Sequence, residues 1–92
     1  MTIDVRHGRC GRVFVRLHGT FDAHAADALH ELLQALDPAR GVILDFHAIR
    51  SVEPWALAAL AVETAAPDRR LTIVGMSRRS QRLLTDFARN RN

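Results

Sequence analysis

Five histidines, thirteen arginines, one cysteine and a few serines are the side chains of this 92-residue sequence that could do chemistry, and their spacing limits what that chemistry is. His24, Asp27 and Glu31 fall at i, i+3 and i+7, on one side of a helix, as metal ligands would. His24 and His30, however, are six residues apart, which separates them by about 120° around a helix of 3.6 residues per turn. His7, His18 and His47 sit in separate segments, so the five are read as surface histidines and no metal site is expected. The five glycines stand singly between segments and build no phosphate loop. Ser51, Ser77 and Ser80 lack the Gly-x-Ser-x-Gly surroundings of a nucleophile elbow. Cys10 lies in a tight turn with Arg9 and Arg12 nearby, cations that favour a thiolate, but no second cysteine is present to resolve an oxidised one. These residues point to no catalytic centre and to no cofactor.

All of the basic residues are arginines, and with ten acids they leave a net charge of +3. The excess is local. Met76 to Asn92 carries five arginines against one aspartate, whereas Met1 to Gly75 carries eight arginines against nine acids. Arg78, Arg82 and Arg89 would share one stripe of a terminal helix, which could contact phosphates or could be a solvated face complementing the negative helix end. The aromatic between them, Phe87, falls on the inward side with Leu83 and Leu84, so none stands on the arginine stripe to stack on bases, which argues against nucleic acid as a partner. At 48% hydrophobic and 25% charged, the composition excludes a disordered tail or a fibrous repeat. A chain of this length buries roughly two-thirds of its unfolded surface, enough for one core, so residues 1–92 are expected to form a single domain. One cysteine excludes an internal disulfide framework. No apolar run reaches membrane length, and Met1-Thr2-Ile3-Asp4 is not a signal peptide, so a cytoplasmic protein with no membrane contact is expected.

The elements that must position these residues follow from periodicity. Thr2 to His7 alternates, and after the Gly8 to Gly11 turn so do Val13, Val15 and Leu17, which predicts a β-hairpin ended by Gly19. Ala25, Ala28, Leu29, Leu32, Leu33 and Leu36 have the spacing of an amphipathic helix, N-capped by Asp22 and closed by Asp37-Pro38. Gly41 to Phe46 is nearly all apolar, as in a central strand covered on both faces. Pro54 suits the first turn of a second helix, to about Ala65, with Leu57, Leu60 and Ala61 inward, and Pro67-Asp68 breaks the chain. Leu71 to Val74 reads as a fourth strand, and Ser77 caps a third helix with Leu83, Leu84 and Phe87 inward. The predicted order is β-β-α-β-α-β-α, an α/β fold with a mostly parallel four-stranded sheet, an antiparallel edge hairpin and helices packed against it.

Val15 to Asp22 followed by Ala25 to Leu29, the strand Val42 to Phe46, and the stretch Leu71 to Leu84 together resemble STAS domains, the fold of bacterial anti-sigma factor antagonists. The resemblance is ungapped over most of residues 3 to 87, and it rests on the combination and element order more than on any one motif. Two departures matter. Where the family has acid, phosphorylatable serine, serine, glycine and leucine, this chain has Glu53, Pro54, Trp55, Ala56 and Leu57. The chain also stops after the third helix, whereas many relatives add a strand and helix, and the comparison leads us to expect one sheet edge open for pairing or for a homodimer.

The resemblance implies a non-catalytic module that sequesters an anti-sigma factor, a kinase-like protein, in transcription regulation; the alternative is a structural STAS-like subunit of a larger assembly such as a transporter complex. It implies partner-binding residues Thr20, Asp22, His47, Arg50, Ser51, Glu53, Pro54, Trp55 and Leu57, with His18 on the same edge; ordinary polar strand ends remain the other reading. A phosphate at a helix start brings charge into a partner interface, but Pro54 has no hydroxyl to accept one. Ser51 is the nearest displaced acceptor, against its other reading as a turn cap before the helix. Trp55 is either a core residue under the preceding loop or an exposed anchor surrounded on that same loop by His47, Arg50 and Glu53.

Overall fold

The alternating segments at the start of the chain pair as a hairpin whose second strand is the spine of the sheet. A computed structural model describes residues 2–37, 40–66 and 70–89. Strand β1 (Thr2–His7) passes through a short 3-10 turn into β2 (Val13–Phe21); α1 (Ala23–Ala35), β3 (Val42–Val52), α2 (Pro54–Thr64), β4 (Leu71–Val74) and α3 (Arg78–Arg89) follow. The sheet order is β1-β2-β3-β4, with β1 antiparallel to β2 and the other pairs parallel. This is the predicted α/β architecture. Pro38, expected to close the first helix, Pro67 and Asp68, expected to break the chain, and the Cys10 side chain lie outside the described residues.

The helix signals behave as their chemistry requires. Asp22 Oδ1 accepts from the Ala25 N–H at 2.9 Å, satisfying an N–H that the first turn leaves without a helical partner. Pro54 opens α2 at N1, where its missing N–H removes no helical bond. Ser77 Oγ accepts from the Ser80 N–H at 3.2 Å and caps α3. Ala25, Leu29 and Leu33 of α1 and Ala56, Leu57 and Leu60 of α2 bury against Val13, Val15, Leu17, Val42 and Leu44. Each fully buried leucine or valine there contributes roughly 1.5–3 kcal/mol of transfer free energy. Leu83, Leu84 and Phe87 of α3 pack on this core half-buried, so α3 is the outermost layer. The small Ala56 and Ala61 are buried on α2, the helix between α1 and α3.

Two expectations are corrected. The central strand is not covered on both faces: Val42, Leu44 and Phe46 are buried, while Ile43 and Asp45 between them are half-buried. The strand register lines up Asp4, Arg16, Asp45 and Val74 across the sheet, and Arg6, Phe14, Ile43 and Thr72 in the next row, on the face without helices. Phe14 stays 45% exposed there. A run of apolar residues alone cannot distinguish two covered faces from one; the crossovers through α1 and α2 put every helix on one side. Nor does Gly19 end β2. It takes a φ of 96° at a register shift inside the strand, which continues to Phe21. Phe21 then meets Phe46 edge-on with ring centroids 5.1 Å apart.

Among the described residues Glu63 is the only buried charged side chain, and His30 of α1 meets its Oε1 through Nδ1. His30→Ala would leave that carboxylate buried without its donor, and urea unfolding should report a loss of about 1–3 kcal/mol. Adding Glu63→Met should recover most of the loss, because an apolar side chain of similar volume is tolerated where a buried charge was. Equal losses in the single and double variants would rule out the stranded charge as the cause.

Candidate functional site

Between the pairs Arg16/Asp45 and His18/Ala48, β3 advances three residues while β2 advances two; between Gly19/Ile49 and Thr20/Ser51 it advances two while β2 advances one. Each shift is a bulge that puts one extra residue into β3 and re-aims the side chains beyond it. The strand β4 pairs with β3 only as far as Asp45. From His47 onward β3 therefore continues beside β2 alone, and its free side faces the start of α3.

Asp45 holds the point of departure. Its Oδ1 accepts from the His47 backbone N–H at 2.9 Å and lies 2.6 Å from His47 Nδ1, while its Oδ2 accepts from Arg16 Nε on β2 at 3.1 Å. The His47 backbone bond holds the Asp45 carboxyl below its ordinary pKa, with the His47 ring and Arg16 adding to the shift and partial burial opposing it. Across the gap, Gly75 ends β4 with a φ of 77°. A Cβ on Gly75 would stand 2.7 Å from the His47 nitrogen and 2.5 Å from Nδ1, so only glycine fits both the backbone angle and the approach.

The space opened in this way is a groove of about 590 Å³ between the end of β3, the first turn of α2 and the first turn of α3. Its walls carry His47, Arg50, Ser51, Pro54 and Leu57, and from the other side Gly75, Ser77, Arg79 and Ser80. It lies at the carboxyl ends of the parallel strands, where open α/β sheets present ligands. Arg50 and Arg79 are exposed and make the rim basic, with three serine hydroxyls beside them.

Only some of the residues named from the sequence meet at the groove. His47, Arg50, Ser51, Pro54 and Leu57 line the groove, although Leu57 is 1% exposed and serves mainly the core. Thr20 is the strand neighbour of Ser51, whose hydroxyl donates to the Thr20 hydroxyl at 3.1 Å. Ser51 therefore lies within β3 and does not cap a turn. Glu53 is the N-cap residue of α2 without a side-chain cap bond, and its backbone N–H donates to Phe21 C=O at 2.9 Å. Trp55 is 80% exposed, so its place in the core is excluded. Asp22 is engaged in capping α1. His18 does not join them, because its Nε2 pairs with Asp4 at 3.0 Å on the open face. His47 and Arg50 belong to the bulged strand, not to a loop. The sequence signalled neither Arg79 nor Ser80 for the groove, although the Ser77 cap marked the helix turn that carries them. Among the described residues no three histidine, cysteine or acidic side chains gather as metal ligands.

No protein-family profile matches the sequence, and comparison with curated proteins finds no match. Comparison of structures does. The anti-sigma factor antagonist SpoIIAA, solved in its unphosphorylated form, superposes with a TM-score of 0.67 at 14% identity, over 91% of this chain and 82% of that one. The chain has the STAS fold. A crystal structure of Mglu also superposes, with a TM-score of 0.62 at 22% identity, over 84% of this chain; this chain spans 20% of that longer one. In this STAS fold the sequence stretch compared with the phosphorylation motif is the N-cap and first turn of α2, and Pro54 stands where the resemblance places the acceptor serine. No helix among the described residues is long and apolar enough to cross a membrane.

Gly75→Ala should destabilise the fold by at least roughly 1–3 kcal/mol, the cost of a left-handed backbone in a residue with a Cβ, and should shift the His47 amide resonance. An unchanged melting temperature would contradict this. Asp45→Asn should weaken the fold most at neutral pH. Because the folded pKa of Asp45 is lowered, its contribution is complete above the ordinary aspartate range and vanishes as pH falls through the folded value. The difference in stability between wild type and variant, measured by urea unfolding, should shrink toward zero in acid; a difference that grows in acid would refute it.

Proposed function

We propose that this chain is a single-domain, non-catalytic protein-binding module of the anti-sigma factor antagonist kind, acting in the cytoplasm to sequester a kinase-like anti-sigma factor. The observation that carries this is Trp55, 80% exposed on the first turn of α2 next to a groove wall. An exposed tryptophan on a rigid helix start supplies large contact area with few rotors to freeze, as interface anchors do. Thr20, Asp22, His47, Arg50, Ser51, Glu53, Pro54 and Leu57 form the surrounding surface or its support. Its basic rim at Arg50 and Arg79 suits an acidic partner surface.

The usual phosphate switch is absent from this surface, because Pro54 offers no hydroxyl; binding is constitutive unless the exposed Ser51 takes the role. Nucleic acid is not the proposed partner, since Phe87, the aromatic of α3, packs on the core and offers the exposed arginines no stacking platform. A second use of the same fold is as a structural subunit or segment of a larger assembly. The superposition on one-fifth of the Mglu chain supports it, since the fold there is a part of a longer protein. Light scattering on the co-purified complex separates the two, because a structural subunit elutes at fixed stoichiometry.

Trp55→Ala should leave folding stability within about 0.5 kcal/mol of wild type, as expected of a surface site. Its affinity for the anti-sigma factor recovered by co-purification should fall by about 2 kcal/mol, roughly thirtyfold. Titration calorimetry measures it, and unchanged affinity would remove this surface from the interface.

A further inference from the structure

We propose that the chain pairs with a second copy of itself through β1, joining two sheets edge to edge in antiparallel register about Val5. This is independent of the partner surface at α2, on another side of the sheet.

The strand β1 is an outer strand of the sheet, matched with β2 over all of Thr2 to His7. The Gly8 N–H donates to Arg12 C=O at 2.7 Å. That makes Gly8 and Arg12 a hydrogen-bonded pair, and antiparallel ladders alternate, so Arg6, Asp4 and Thr2 direct their backbone groups toward β2. Ile3, Val5 and His7 then direct theirs outward. An outer strand with its own N–H and C=O groups turned out is a template for another strand. On the helix side, α1 lies against β2 and α2 and leaves Val5 38% exposed.

Charge selects the occupant and the register. A two-fold axis perpendicular to the sheet, which keeps both helix layers on one side, allows pairing centred on Asp4, on Val5 or on Arg6. The first sets Asp4 against Asp4 and the last sets Arg6 against Arg6, and like charges directly opposite disfavour pairing. Centring on Val5 sets Val5 against Val5, Asp4 of each copy against Arg6 of the other, and Ile3 against His7. The Arg6 side chain has no hydrogen-bond or ion-pair partner among the described residues, so its guanidinium is available. Charged outer strands normally resist pairing; here the two signs stand two residues apart and fit a second copy. The other outer strand, β4, has four residues and no charge to set a register.

Sedimentation velocity from micromolar to millimolar concentration should show the mass of the chain doubling. Arg6→Asp and Asp4→Arg each set like charges in both contacts and should each stay monomeric at concentrations where the wild type is dimeric. An equimolar mixture of the two variants restores opposite charges and should dimerise. Val5→Pro removes an outward N–H without touching the β2 ladder and should also stay monomeric, with circular dichroism showing the fold retained. A wild type that is monomeric throughout, or a dimer that survives both Arg6→Asp and Val5→Pro, would overturn the proposal.

Discussion

Up to Asp45, β3 is shared between β2 and β4, and from His47 it has β2 alone. The groove and the start of α2 both depend on this loss of a neighbour. A strand that leaves the ladder exposes backbone groups that need other partners. Asp45 supplies one by accepting from the His47 N–H, and it ties the same point to β2 through Arg16. Gly75 permits β4 to turn away at a distance no side chain tolerates. The two bulges then carry β3 onward by two residues relative to β2 and deliver the chain to α2 with Glu53 bonded to Phe21.

Rigidity and exposure are combined at that point. Beneath the first turn of α2 lie Leu57 and Phe21, both fully buried, with Phe46 edge-on to Phe21. Above it, Trp55 projects into solvent. A large apolar side chain held outward by a well-packed helix start has no folding role to explain it, and it is the kind of group that gains by burial against another protein. Pro54 beside it opens the helix at no hydrogen-bonding cost and also removes the hydroxyl that a phosphate would need.

The helix layer and the open face divide the sheet chemically. Buried aliphatic residues of β2 and β3 face α1 and α2, while Arg16 and Asp45 pair across the open face, as do Asp4 and His18. Such partly exposed pairs contribute little to stability, and they fill the uncovered face with polar groups that water can reach. Glu63 stands on the other side of the division, and His30 satisfies it within the helix layer.

Local chemistry determined the elements: alternation at Ile3 and Val5 made a strand, Asp22 and Ser77 capped helices, and Pro54 opened one, because each acts on neighbours within a turn. The order of elements followed from those signals, and so did the resemblance to the STAS pattern. Where β2 ends, how far β3 runs and which of its faces is open are set by pairing between strands distant in the sequence. Gly19 looks like a strand terminus until its partner in β3 bulges to meet it. Trp55 could be core or surface by type and position, and only the packing of α2 turned it outward. Arg79 joined Arg50 because β4 stops short and brings the start of α3 over the end of β3. The sequence specified what each residue can do, and tertiary structure decided which residues stand together, because nearness in space between separate strands and helices has no local signature.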